Sequence, residues 1–170
     1  SSRSRSSATP SGVPANDPSM QQAGEWLLSR ETRVVGDWYY KTKHRPPGGW
    51  YFEHHNEFYP DVDDTAMVLI ALKEVQESGV RGQESGDRSQ FVSNLKSQIS
   101  NPNSQIPNPK SQIDSACDRA RRWMLAMQNR DGGWGAFDKD NDSEFLCRVP
   151  FADHNAMIDP STPDLTGRVL

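Results

Sequence analysis

The sequence predicts an all-α chain built from stacked helix–turn–helix units, as in a solenoid or a closed α/α toroid. Two observations carry that prediction. Apolar residues recur at helical spacing in separate stretches, while no stretch of any length alternates with the period of a strand. A turn pattern also repeats: an aromatic on a helix, a polar amide or acid five residues on, then Gly-x-Trp. One copy reads Trp26, Glu31, Gly36-Asp37-Trp38; the other reads Trp123, Gln128, Gly132-Gly133-Trp134. Units of this kind bury their faces by stacking on neighbours.

Taken in order, residues 1–16 are Ser, Arg and Pro with almost nothing to bury, and they read as a disordered segment. Residues 17–79 form the first helical unit. Asp17-Pro18-Ser19 is a helix start, followed by Met20, Ala23, Gly24 and Leu27 on one face, with Trp26 extending it. A second helix begins near Asp61, is apolar nearly all round through Leu72, and is expected to end near Glu77, before Gly79 and Gly82. Residues 80–112 carry Ser-Gln-Ile at 97–99, 104–106 and 111–113, a seven-residue step. Pro102, Pro107 and Pro109 oppose a coiled coil there, so the segment reads as a surface insertion.

Residues 113–170 form the second unit. Ile113, Ala116, Cys117, Ala120, Met124 and Met127 make an amphipathic helix, with Arg119, Arg121 and Arg122 on its solvated face. Ser161-Thr162-Pro163-Asp164 opens another helix, parallel in sequence to the Pro60-Asp61 start, and the chain stops about two turns into it. The reading is an internal fragment.

Composition excludes several classes. Nineteen Lys and Arg against 23 Asp and Glu give a net charge of −4, so no global basic field recruits nucleic acid. Hydrophobic residues are 34% of the chain. Even with the 12 glycines added, that falls below the roughly 45–50% of ordinary domains. No apolar run approaches a membrane span, and no signal-peptide core is present. Cys117 and Cys147 read as two reduced thiols, and the His54-His55 pair lacks the spaced partners of a metal site.

The chemistry concentrates at Tyr59-Pro60-Asp61-Val62-Asp63-Asp64-Thr65-Ala66, where three acids occupy four positions before an apolar helix. Capping and the helix dipole account for one or two of them. Crowding and burial of three like charges favour a proton on one, which makes a Brønsted acid suited to a non-polar substrate. The aromatics Trp50, Tyr51, Phe52, Phe58 and Tyr59 lie just upstream, and ring faces stabilise a carbocation without trapping it.

Gly49-Trp50-Tyr51-Phe52 with Tyr59-Pro60-Asp61-Val62-Asp63-Asp64-Thr65-Ala66 resembles the acid-motif region of bacterial squalene–hopene cyclases. Arg119-Ala120, Trp123-Met124, Gln128 and Gly132-Gly133-Trp134 are similar to that family's QW repeat. The resemblance covers about residues 17–78 and 114–170. It implies an α/α toroid of two barrels, no metal or organic cofactor, and squalene as the polyisoprenoid substrate. In it Asp63 is the proton donor, flanked by Asp61 and Asp64. Phe52 faces the developing cations, and Tyr59, Trp50 and Phe137 stand among the aromatics of the pocket. Asp164 belongs to the hydrogen-bond network behind the motif, and Trp123, Gln128, Gly132 and Trp134 are structural.

Arg168 stands where the best-known members have a histidine paired with the first Asp of the motif, and on that reading it holds Asp61 ionised. The resemblance further implies a protein that works on the cytoplasmic side of a membrane as a peripheral or monotopic homodimer, and a chain of this length that is inactive by itself. A class II diterpene cyclase shares Asp-x-Asp-Asp but acts on a diphosphate, and the QW unit argues against it. Oxidosqualene cyclases carry Cys in place of Asp64, and a non-catalytic remnant of a cyclase gene is the reading outside catalysis.

Overall fold

The computed structural model describes residue 13 and residues 17–52, 55–85, 109–143 and 158–170. Five helices follow in order: α1 (Pro18–Ser29), α2 (Trp38–Lys41), α3 (Val62–Ser85), α4 (Pro109–Met127) and α5 (Pro163–Val169). Extended pairing among the described residues is limited to two isolated antiparallel bridges, Trp50 with Asp61 and Asn141 with Asp159. The all-α expectation stands. No helix among the described residues is long and apolar enough to cross a membrane. The 1–16 segment (Val13 apart), His54, Cys147 and the Ser-Gln-Ile copies at 97–99 and 104–106 lie outside the described residues.

The chain divides into two interleaved units, one of residues 1–29 and 71–114, the other of residues 30–70 and 115–170. In the first, Asp17 Oδ1 accepts from the backbone N–H of Ser19 at 2.9 Å and from its hydroxyl at 2.7 Å, the expected helix start. The face of α1 that faces inward is narrower than its apolar pattern. Gly24 is buried close to Val75, whereas Trp26 is more than half exposed and does not extend the buried stripe. Leu72, Val75 and Ile113 are the buried apolar residues here.

Two helix bounds differ from the sequence reading. α3 continues through Gly79 and Gly82 to Ser85. A helical glycine costs only about 1 kcal/mol, too little to stop a helix already nucleated. α4 begins at Pro109, four residues before Ile113. At the first helical position a proline forfeits no hydrogen bond, so this proline starts a helix instead of breaking one. The third Ser-Gln-Ile copy therefore lies within α4, where Ile113 is buried.

The second unit holds the main core. Trp123, fully buried on α4, meets Trp38 edge-to-face with ring centroids 6.0 Å apart. Val62 and Ala66 of α3, Met124 and Met127 of α4, and Trp134 complete the buried cluster, and Leu165 and Val169 of α5 pack against it. The α3 surface is less enclosed than its sequence suggests, since Met67 and Ile70 are half exposed.

Candidate active site

Asp61 to Asp64 are held by a backbone bracket that occurs twice. Trp50 N–H donates to Thr65 Oγ1 at 2.9 Å, and Asp61 N–H donates to Trp50 O at 2.7 Å. The same pair of bonds joins Trp134 N–H to Thr166 Oγ1 at 3.2 Å and Thr162 N–H to Trp134 O at 3.1 Å. Upstream, Thr32 N–H donates to Gly49 O at 2.8 Å and Asn129 N–H to Gly133 O at 2.9 Å. The structural counterpart of Gly132-Gly133-Trp134 is therefore Gly48-Gly49-Trp50 and not Gly36-Asp37-Trp38. Residues 33–47, with α2, stand where the second copy has only Arg130 and Asp131. The helix starts shift likewise. Asp61 matches Thr162 and Asp63 matches Asp164, whereas the Pro-Asp dipeptides themselves do not superpose.

Glycine is required where this bracket closes. Gly49 has φ +102, and a Cβ on it would lie 2.7 Å from Thr65 Oγ1 and 3.1 Å from Trp123 Cε3. A second contact fixes the start of α3: the N–H of Val62, an orphan donor at a helix N-terminus, donates to Ala136 O at 2.8 Å. The 136–138 segment is in turn gathered by Asp159, whose carboxylate accepts from Ala136, Phe137 and Asp138 N–H at 2.9, 2.6 and 2.7 Å. Lys41 of α2 adds an ion pair to Asp138.

Within the bracket the three acids have different surroundings. Asp61, 6% exposed, caps α3: its Oδ1 accepts from Asp64 N–H at 2.9 Å. Burial pushes its carboxyl up to about 6, helped by the charges of Asp64 and Asp63 and opposed by the N–H groups of the same two residues. Asp64 is also raised, by burial first and by Asp63 second, and its Oδ2 is buried with no hydrogen-bond partner among the described residues. Asp63 is the outward member, its side chain 35% exposed, and both its oxygens accept from Nη1 of Arg168 on α5. This corrects one expectation: Arg168 pairs with Asp63 and not with Asp61. Of the three acids Asp61 is the most buried. Asp164 is exposed in the first turn of α5, held low by the Thr162 hydroxyl and nearby N–H groups with a smaller contribution from Arg168.

The aromatics divide. Trp50 is buried at the bracket, which leaves it a structural position, while Phe52 is 73% exposed and Tyr59 and Phe137 about half exposed. Phe52 and Tyr59 each lie two positions from a bracket residue, Trp50 and Asp61, and Phe137 follows Ala136, whose carbonyl accepts from Val62 N–H. The Gln and Trp of the repeat serve different carbonyls. Gln128 Nε2 donates to the loop carbonyl of Gly132 at 2.8 Å. The orphan carbonyls of α4 are taken instead by Trp134 Nε1, at 2.8 Å from Met124 O, and by Lys139 Nζ, at 2.6 Å from Ala126 O. Gly132 supplies the turn with φ +94.

Arg119 is not on a solvated face. Its Nε and Nη2 reach the two oxygens of Glu31 at 2.7 and 2.8 Å, and the Glu31 side chain, 1% exposed, also meets Arg33. The two bonds to Glu31 push the Arg119 guanidinium up. Sequence reasoning missed Thr65, Asp159 and the Glu31–Arg119 pair. The identical Gly-Gly-Trp triplets were the available signal for the first; nothing local announced the other two. Among the described residues no group of three or more His, Cys, Asp or Glu is placed to hold a metal ion.

The family model for the squalene-hopene cyclase C-terminal domain matches residues 4–100 and 103–170, and so extends over most of the 80–112 segment that the motif resemblance leaves out. The chain is 40% identical over 162 residues to dammaradiene synthase of Dryopteris crassirhizoma, covering 94% of this chain and 19% of that protein. It is 35% identical over 164 residues to the squalene-hopene cyclase of Schizosaccharomyces japonicus, 95% of this chain and 20% of the relative. Against the squalene–hopene cyclase of Alicyclobacillus acidocaldarius it is 35% identical over 159 residues, 94% and 20% of the two chains. The chain thus spans about a fifth of these relatives.

Proposed function

Because the chain belongs to the squalene-hopene cyclase C-terminal domain family, we propose that it forms the acid-bearing part of an isomerase-type triterpene cyclase acting on squalene. In this reading a carboxyl of the cluster gives its proton to one carbon of a terminal double bond. The π electrons form the new C–H bond, the neighbouring carbon becomes a cation, and the carboxyl is left as carboxylate. Successive alkenes of the folded chain then add to the cation, closing rings. Asp63 delivers the proton, being the outward member of the cluster. Phe52, Tyr59 and Phe137 are the exposed rings available to face cationic carbons.

The observation that supports this reading best is a buried acid at the start of α3, pushed up to about 6 and fixed by a bracket that leaves Asp63 facing outward. Such a group is poised to lose a proton near neutrality. A diterpene cyclase reading would want cations for a diphosphate beside the acid, and the cation that meets it among the described residues, Arg168, is occupied by Asp63. The whole protein's association with a membrane, on its cytoplasmic side, and its pairing as a homodimer belong to the same proposal.

The test places this chain in the corresponding segment of the Alicyclobacillus acidocaldarius enzyme and follows squalene consumption. The expected result is cyclised triterpene from the chimera, loss of about a hundredfold or more in D63N, and no turnover by the 170-residue chain alone. A chimera with the parent's helicity and unfolding temperature but no cyclised product would overturn the proposal, as would unchanged turnover in D63N.

A further inference from the structure

The first copy of the repeat carries α2 where the second has only Arg130 and Asp131, and the side chains of α2 bond to two segments that bear exposed rings. Its first residue, Trp38, is buried, meets Trp123 edge-on and donates from Nε1 to Phe58 O at 3.1 Å. Gly36 permits this approach, because a Cβ there would collide with Phe58 O and the Trp38 indole. Its last residue, Lys41, places Nζ 2.7 Å from both oxygens of Asp138. One end of α2 thus holds the chain next to Tyr59, and the other holds the chain next to Phe137; both rings are about half exposed. We propose that α2 is a strut, with Trp38 and Lys41 as positioning residues, that sets where the Tyr59 and Phe137 rings stand relative to the acids at the start of α3.

A strut needs a fixed end, and Trp38 supplies it. The Asp37 carboxylate accepts from Trp38 N–H at 2.9 Å, Thr42 N–H donates to Trp38 O at 3.0 Å, and the indole lies in the cluster that holds Val62 and Ala66 of α3. The far end is different in kind. Lys41 and Asp138 are 46% and 32% exposed, and an ion pair that open adds little to stability. The backbone beside it is already gathered by Asp159 and tied to α3 through Ala136 O and Val62 N–H. What the Lys41 pair adds is therefore placement. This deepens the proposed cyclase reading and rests on it for its consequence. A ring face stabilises a cationic carbon only at short range. With the ring displaced, the cation loses a proton from the adjacent carbon to water; the C–H electron pair becomes a new double bond, and ring closure ends early.

The test has two arms, the first without substrate. In the 170-residue chain, fluorine is placed on the ring of Phe137 and, in a separate sample, on that of Tyr59, and each is followed by NMR. K41M keeps the aliphatic stem and removes the charge. It is expected to move the Phe137 signal by more than its linewidth, with the urea midpoint and the Tyr59 signal unchanged, and K41R is expected to restore the parent signal. W38F is expected to move the Tyr59 signal; if it fails to fold, K41M and K41R decide. In the second arm the chimeric cyclase carrying K41M should consume squalene within about twofold of the parent chimera, while its share of incompletely cyclised product rises about threefold or more, and K41R should reverse the rise. A Phe137 signal that K41M leaves in place overturns the strut, and a K41M chimera with the parent's product distribution overturns the positioning role. A folded parent chimera that makes no cyclised product instead counts against the cyclase reading, and the fluorine arm still reads the strut, so the two failures are distinguishable.

Discussion

Three glycines of the repeated turn separate two costs that usually arrive together. Gly132 has φ +94 and open space where a Cβ would go. Gly133 lacks a positive φ but would place its Cβ 2.6 Å from Ser161 Cβ. Gly49 has both problems, with φ +102 and a Cβ 2.7 Å from Thr65 Oγ1. Forcing an L-residue into such a backbone conformation costs about 1–2 kcal/mol. Overpacking costs about 1–3 kcal/mol. G132A is therefore expected to lose about 1–2 kcal/mol, G133A about 2, and G49A about 3–4, close to the sum. Urea unfolding followed by tryptophan fluorescence reads all three, since Trp38, Trp50, Trp123 and Trp134 are buried. The reasoning fails if G132A is as damaging as G49A, because the Thr65 and Trp123 contacts would then contribute nothing.

Removing Arg119 as R119A should cost about 2–4 kcal/mol, towards the lower end because Arg33 remains beside the buried Glu31. Thermal and urea unfolding check it, and E31Q/R119A losing no more than R119A would confirm that the penalty is an unpaired Glu31. W134F strands the buried Met124 carbonyl and should lose about 1–3 kcal/mol, whereas Q128A, whose bond to Gly132 is exposed, should lose under about 1; urea midpoints compare them. The folded carboxyl of Asp61 lies at about 6 against 3.8 for the ordinary group. The native chain therefore binds the extra proton between those values, and its stability falls as pH rises through that window. D61N should match the parent near pH 4 and exceed it above pH 7 by at most about 3 kcal/mol, as urea midpoints at the two pH values will show.

Helix identity and the acid motif were legible because both are local. The apolar period marks α3 and α4, and the Asp17 cap is visible in three consecutive residues. Register between distant segments was not. Gly36-Asp37-Trp38 and Gly48-Gly49-Trp50 both offer the turn pattern as sequence, and the bonds at Trp50 N–H, Trp50 O and Gly49 O select the second. Arg119 looked solvated because its partner, Glu31, is 88 residues away. The partner of Arg168 was misassigned for a related reason: Asp61 and Asp63 are two positions apart on a helix start, where a shift of two carries a side chain to a different side. Resemblance names the cluster, but the path of α5 decides which carboxyl it meets.

The duplicated bracket also offers a control for whether three acids are needed to fold. In the second copy the cap position is Thr162, which makes no side-chain capping bond, and the counterpart of Asp64 is Leu165, packed against the core. The backbone bonds are nonetheless the same, with Thr65 N–H to Asp61 O and Thr166 N–H to Thr162 O both at 3.0 Å. The architecture therefore asks only for an extended cap residue and a threonine four positions on. Asp61 and Asp64 exceed that requirement and carry a desolvation cost. The double variant D61T/D64L, which copies the second bracket while leaving Asp63 and Arg168 in place, should keep its helical circular dichroism. Its stability at neutral pH should equal or exceed the parent's, by up to about 2 kcal/mol. In the chimeric enzyme the same change should abolish squalene consumption. A variant that unfolds would return these two acids to structural duty and remove the argument that they are present for chemistry.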